Sequence, residues 1–83
     1  MQHIVCSIYD TKAKAYLQPF FTQNAGTGIR AFSDACNDSN SQFFAHPEDY
    51  ILYHLAYFDD ASGRFESLDT PVTLGAATEY VSL

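Results

Sequence analysis

The chain has no tryptophan, only four basic residues and no apolar run long enough for a membrane-spanning helix. Each scarcity excludes something. A helical span needs ~20 consecutive apolar residues, and the apolar stretches here are strand-length. Four basic residues against ten acidic ones leave a net charge of −6. Proteins that coat nucleic acid show the opposite balance, because phosphate neutralisation supplies most of their affinity. An acidic surface keeps a chain soluble and repels nucleic acid and anionic membranes. Cysteine is also sparse, with only Cys6 and Cys36, both among apolar neighbours. One disulfide is a formal alternative, but two buried thiols in a reducing cytoplasm is the expected arrangement. Met1-Gln2-His3 lacks the basic region of a secretory leader, and the run Ile4 to Ile8 is too short for its apolar core.

Aromatic side chains are plentiful. Seven Phe and six Tyr make up 16% of the chain, so rings dominate whatever core it builds, and rings left outside imply a partner. The 83 residues suffice for one domain, 1–83, with a thin core. Alternation predicts a strand over 3–9, with Ile4, Cys6 and Ile8 on one face and Val5, Ser7 and Tyr9 on the other. Asp10 to Ala13 reads as a turn, Lys14 to Leu17 as a short return strand, and Phe20-Phe21 as extended chain beyond Pro19. Ala25, Ile29, Phe32 and Cys36 then recur at helical spacing behind Asn24, a good N-cap. A polar loop is expected from Asn37 to Pro47.

Tyr50 to Phe58 is the strongest strand pattern, followed by an Asp59–Gly63 hairpin and a return strand ending near Leu68. Thr70-Pro71 reads as an N-cap and first helical residue, with Leu74, Ala77 and Val81 as the apolar stripe. The halves match, Tyr9-Asp10 before Tyr16 corresponding to Phe58-Asp59 before Phe65, which suggests a repeated unit at 3–37 and 50–82. The expected fold is therefore α+β: two ββα units forming a four-stranded, mostly antiparallel sheet with both helices on one face. In that arrangement Ile4, Cys6, Ile8, Tyr53, Leu55 and Tyr57 face the helices. Val5, Ser7, Tyr9, His54, Ala56 and Phe58 form the opposite face. It is too apolar to be left to water, and a second copy of the chain is its simplest cover, so a homodimer is expected.

Catalytic patterns are absent. Ser7 and His54 fall on neighbouring strands of one face, but no third residue is placed to orient the histidine. Asp59 and Asp60 occupy a hairpin, where Asp is the ordinary turn residue. His46, Glu48, Asp49 and His54 have no recognised metal-ligand interval, and Asp38-Ser39-Asn40 lacks the glycine of a calcium loop. Gly26-Thr27-Gly28 has neither the lysine nor the spacing of a phosphate loop. No cofactor, metal, membrane or small-molecule substrate is expected, and the chain reads as a binding protein. Its candidate nucleic-acid contacts are the cations Lys12, Lys14, Arg30 and Arg64, with Tyr16, Phe20 and Phe21 as stacking rings. Core capping is the competing role for the two phenylalanines.

The run Ser7-Ile8-Tyr9-Asp10-Thr11-Lys12-Ala13, with Ala15-Tyr16-Leu17, Pro19-Phe20-Phe21, Ile29-Arg30-Ala31-Phe32 and Asn37-Asp38, resembles a known family. His46-Pro47-Glu48-Asp49-Tyr50, then Phe58-Asp59-Asp60, Gly63 and Phe65-Glu66, extend the resemblance over nearly the whole chain. It is similar to the small non-structural protein of gokushoviruses, single-stranded DNA bacteriophages of the microvirus type. The resemblance implies a non-structural viral protein made in the bacterial host cytoplasm and absent from the mature virion. It also implies a role in single-stranded DNA replication or DNA packaging, or a DNA-binding one. Together with the acidic charge, this points to an accessory protein working through viral replication, assembly or host proteins with at most minor DNA contacts. The alternatives are direct single-stranded DNA binding and an acidic decoy of a host DNA-binding protein.

Overall fold

The computed structural model describes residues 1–82. Strand β1 (Gln2–Asp10) is the alternating N-terminal segment, and it lies antiparallel to β4 (Tyr50–Asp59) along its entire length, from Gln2 opposite Asp59 to Asp10 opposite Tyr50. The other side of β1 is shared by two short strands, β2 (Ala15–Tyr16) and β3 (Phe20–Thr22). Pro19 falls between them, where its missing N–H breaks no ladder bond. Strand β5 (Arg64–Ala76) pairs with β4 and forms the opposite edge. The result is an antiparallel sheet of order β2-β1-β4-β5, with β3 beside β2 on the same edge.

One layer of helices covers one face of this sheet. Helix α1 (Ala25–Cys36) starts where Asn24 Oδ1 accepts the Thr27 amide at 2.9 Å, which satisfies one of the first-turn donors. Gly28 lets the helix approach β1, since a Cβ there would lie 3.4 Å from Cys6 Sγ. The polar loop after α1 contains one further helical turn, α2 (Gln42–Ala45), capped by Ser41. It delivers Phe43 edge-on to Phe32 and Tyr50 at centroid distances of 5.6 and 4.9 Å. The core is Ile4, Cys6, Phe32, Cys36, Tyr50, Leu52 and Ala77, with Ile8, Phe20, Ile29, Leu74 and Tyr80 packed around it. Burying a side chain such as Phe32 or Leu52 contributes about 2–3 kcal/mol.

The C-terminal helix expected from Pro71 does not form there; β5 runs on to Ala76, and only α3 (Ala77–Tyr80) is helical. Pairing explains the difference. His54 lies opposite Val72 and Ala56 opposite Ser67, so Leu68 to Pro71 bulge out against Leu55 alone. Proline is tolerated at such a bulge on an edge strand, and the β-branched Val72 and Thr73 resume the ladder. A second irregularity at Leu74 ends in Gly75, whose φ of +126° favours glycine. The expected apolar stripe does reach the core, through this kinked strand end and the single turn of α3.

Candidate interaction surface

Residues paired across an antiparallel ladder share a face, so the register fixes what the uncovered side of the sheet presents. Val5 lies opposite Ala56 but Cys6 opposite His54, which leaves Leu55 without a partner on β1. This bulge inverts the parity of β4 N-terminal to it. Tyr53, expected on the helix side, therefore lies opposite Ser7 on the open side. His54, expected on the open side, lies opposite Cys6 on the helix side. His54 is buried, with Nε2 3.0 Å from the Ala56 carbonyl and its ring edge-on to Tyr57. Val5, Ser7, Tyr9, Ala56 and Phe58 stay on the open side as expected, joined by His3, Ile51, Tyr16, Phe21, Phe65, Ser67 and Thr73.

Two groups of rings stand on that face. Tyr9, Tyr16 and Tyr53 lie at centroid separations of 4.8, 5.9 and 6.4 Å. Phe21, Phe58 and Phe65 lie at 4.7, 5.3 and 6.0 Å, with His3 6.4 Å from Phe58. Most of these contacts are edge-to-face, the preferred aromatic geometry. Between the groups run the small residues Val5, Ser7 and Ala56, all buried. The Ser7 hydroxyl donates to the Leu17 carbonyl at 2.5 Å, and His54 is on the other side of the sheet, so the two form no nucleophile–base pair. Tyr16, Phe21 and Phe65 remain 43, 51 and 61% exposed, which makes them the parts of this face that a partner would meet.

The paired strand positions of the face are also uncharged, and the carboxylate at its edge, Asp60, is bound by His3 at 2.8 Å and by the N-terminal amine at 2.7 Å. None of the paired positions named above is Asp, Glu, Lys or Arg, although the chain has fourteen such residues. The strand charges fall on the other side, at the ends or in the β5 bulge: Asp10 opposite Ala15, Asp59 opposite Arg64, Glu66 opposite Tyr57, and Asp69 between the paired Ser67 and Val72.

The seven candidate nucleic-acid contacts are not brought together. Lys12 and Lys14 sit in the turn after β1, held by Asp10 Oδ1 accepting the Lys12 and Ala13 amides. Because β4 is antiparallel to β1, the hairpin that carries Arg64 lies at the opposite end of the sheet. Arg30 is on α1, beside a shallow cleft formed with Asn24, Gly26 and Thr27. Phe20 points to the helix side opposite Cys6 and packs on the core, leaving only Tyr16 and Phe21 on the open face. A second cleft, lined by Gln2, Tyr57, Asp59, Ser62, Arg64 and Glu66, mixes an arginine with two carboxylates.

Other reactive groups are accounted for locally. His46, Glu48 and Asp49 bring ligand atoms within 4.8 Å of one another, and the Lys12 ammonium stands 3.9 Å from Asp49 Oδ2, where a cation would otherwise neutralise it. Hydrogen bonds from the N-terminal amine and from His3 hold Asp60 below the usual carboxylate range. Cys6 and Cys36 are buried and unbonded; burial raises both thiols, that of Cys36 to about 11, which suppresses the reactive thiolate. Among the described residues no helix is long and apolar enough to cross a membrane.

Reading the residues without the ladder misses Phe65 and Tyr53 as members of the surface. The signal for Phe65 was present: it pairs with Phe58 across the Asp59–Gly63 hairpin and so inherits its face. Tyr53 needed the bulge. No curated protein and no solved structure matches the chain. A family model described as "Phage ORF5 protein" matches residues 3–80, which takes in every strand but for Gln2 at the start of β1, the helices and both ring groups. The chain belongs to the Phage ORF5 protein family.

Proposed function

We propose that the protein is a non-enzymatic accessory factor in the synthesis or packaging of a single-stranded DNA phage genome. It works in the host cytoplasm through protein contacts made by its open sheet face and is left out of the finished virion. The observation that carries this reading is the uncharged aromatic face, with Tyr16, Phe21 and Phe65 exposed on an otherwise acidic molecule. Exposed apolar surface of this kind, free of charge, suits a protein partner. Sequence-independent binding of DNA needs a cationic track beside its stacking rings. Here the four cations sit at opposite ends of the sheet and on α1, and Lys12 already faces Asp49. A decoy of phosphate would need its carboxylates on one face, whereas these are spread over α1, α3, both sheet ends and the β5 bulge.

Direct base stacking on Tyr16, Phe21 and Phe65 is the competing reading, and one titration separates the two. Fluorescence anisotropy of a labelled single-stranded oligonucleotide is expected to show no binding at about 50 mM salt, where phosphate contacts are strongest. Binding that weakens steeply towards about 200 mM, and that Lys12→Glu with Lys14→Glu abolishes, would replace the protein-contact reading with DNA recognition. In infected cells, Phe65→Glu is expected to lower the ratio of single-stranded to double-stranded viral DNA. An unchanged ratio would remove the open face from the function.

A further inference from the structure

We infer that the occupant of the open sheet face is a second copy of this chain, packed face to face in a two-fold dimer. This deepens the preceding reading and rests on it only for the importance of the face. Charge supplies the first reason. Two molecules that each carry −6 repel one another on most approaches, and repulsion is least where neither surface bears a charge. The open face is close to such a place: its strand positions are aromatic, small aliphatic, hydroxyl or histidine, Asp10, Asp59, Glu66 and Arg64 project to the helix side, and Asp60 at the His3 corner is countered by the N-terminal amine at 2.7 Å. A heterologous acidic or basic partner would find nothing to read there; an identical neutral face is its own complement.

Size supplies the second reason. The sheet is four strands wide, and strands ~4.8 Å apart make it ~19 Å across. The paired stretch His3 to Tyr9 is ~23 Å long at ~3.3 Å per residue. The flat footprint is thus ~450 Å² per copy, and standing rings raise it above that. Two copies reach about 1,000 Å², the lower bound of a specific interface, which predicts a dimer of micromolar rather than nanomolar affinity. Shape agrees. Each face offers two raised ring groups flanking a low strip of Val5, Ser7 and Ala56, and sheets stack ~10 Å apart when such side chains interdigitate.

Sedimentation equilibrium of the full chain, from about 1 to 200 μM, spans this micromolar range. The wild type is expected to pass from monomer to dimer across it. Phe65→Glu, which places a carboxylate within the ring group at the hairpin corner of the face, is expected to raise the dissociation constant at least 30-fold, roughly the loss of one hot-spot residue. Val72→Glu, on the same strand but on the helix side and also exposed, is expected to leave it unchanged. Circular dichroism confirms that each variant is folded. A wild type that stays monomeric throughout overturns the dimer, as does a dimer indifferent to Phe65→Glu and Tyr16→Glu. The two proposals fail separately. A monomeric protein whose Phe65→Glu variant still lowers viral single-stranded DNA loses the dimer and keeps the face as a site for another protein. A dimer broken by Phe65→Glu with no change in viral DNA keeps the dimer and loses the function.

Discussion

Replacing Gly75 by alanine should be the most damaging one-carbon change in the molecule. Two effects act together. The backbone φ of +126° disfavours any L side chain, a strain of about 1–3 kcal/mol. The added Cβ would also lie 2.5 Å from Tyr80 Oη and 2.8 Å from its Cε2, too close for the ring to stay in place. Moving Tyr80 breaks its hydrogen bond to the Leu74 carbonyl, about 1 kcal/mol, and loosens its edge contact with Phe32, about 1 kcal/mol more. The sum is about 3–5 kcal/mol, against a total stability of about 4–12 kcal/mol for a chain of this length. Urea unfolding followed by far-UV circular dichroism measures it. Gly63→Ala is the control, because Gly63 also has positive φ, +75°, but nothing within 4 Å of the new carbon; it should lose only about 1 kcal/mol. In a Tyr80→Ala background the Gly75→Ala penalty should shrink to the strain alone. If Gly75→Ala and Gly63→Ala agree within about 0.5 kcal/mol, the ring contact is not what demands glycine.

Two further outcomes follow from groups away from the open face. Cys36 is raised to about 11 by burial, so the folded state holds its proton more tightly than the unfolded chain does. Its contribution is therefore complete below the unfolded thiol's ordinary range, near 9, and is lost as pH rises towards about 11. The melting temperature should fall over that window and fall less in Cys36→Ala, and native thiols should resist an aromatic disulfide reagent until unfolding; rapid native labelling of either cysteine would contradict the buried geometry. Asn24→Ala removes the acceptor for the Thr27 amide and should destabilise by about 1 kcal/mol, while Asn24→Ser should recover most of it.

Much of the fold was legible because the relevant patterns are local. The alternation of Ile4, Cys6 and Ile8, the Asn24 cap and the stripe through Phe32 and Cys36 each report on neighbours a few residues away. Thr70-Pro71 misled for the opposite reason. A cap followed by proline is a sound local start for a helix, but here the β4 ladder reclaims Val72 and Thr73 after a bulge that local pattern does not reveal. The site was half legible on the same principle. Val5, Tyr9 and Phe58 follow from alternation, whereas Tyr53 and His54 exchange faces because of the unpaired Leu55 fifty positions downstream in chain order from β1. Lys12 and Lys14 are far from Arg64 because turns that look equivalent in the two halves end up at opposite ends of antiparallel strands.

The pairing of β1 with β4 also governs when the molecule can exist. Strand β1 is synthesised well before its principal partner, Tyr50–Asp59, and Tyr50 and Leu52 complete the core around Phe32 and Cys36. A nascent chain that stops anywhere in the polar stretch between α1 and β4 has Tyr9, Tyr16, Phe20, Phe21 and Phe32 synthesised but no central strand to set them against. Folding is thus delayed until β4 has been made, and its rate is limited by closing a long loop, in the slower millisecond-to-second range of non-local topologies. During synthesis the unpaired rings are visible to chaperones and proteases. Products that stop before β4 should therefore be cleared rather than accumulate, so that only chains with both central strands persist.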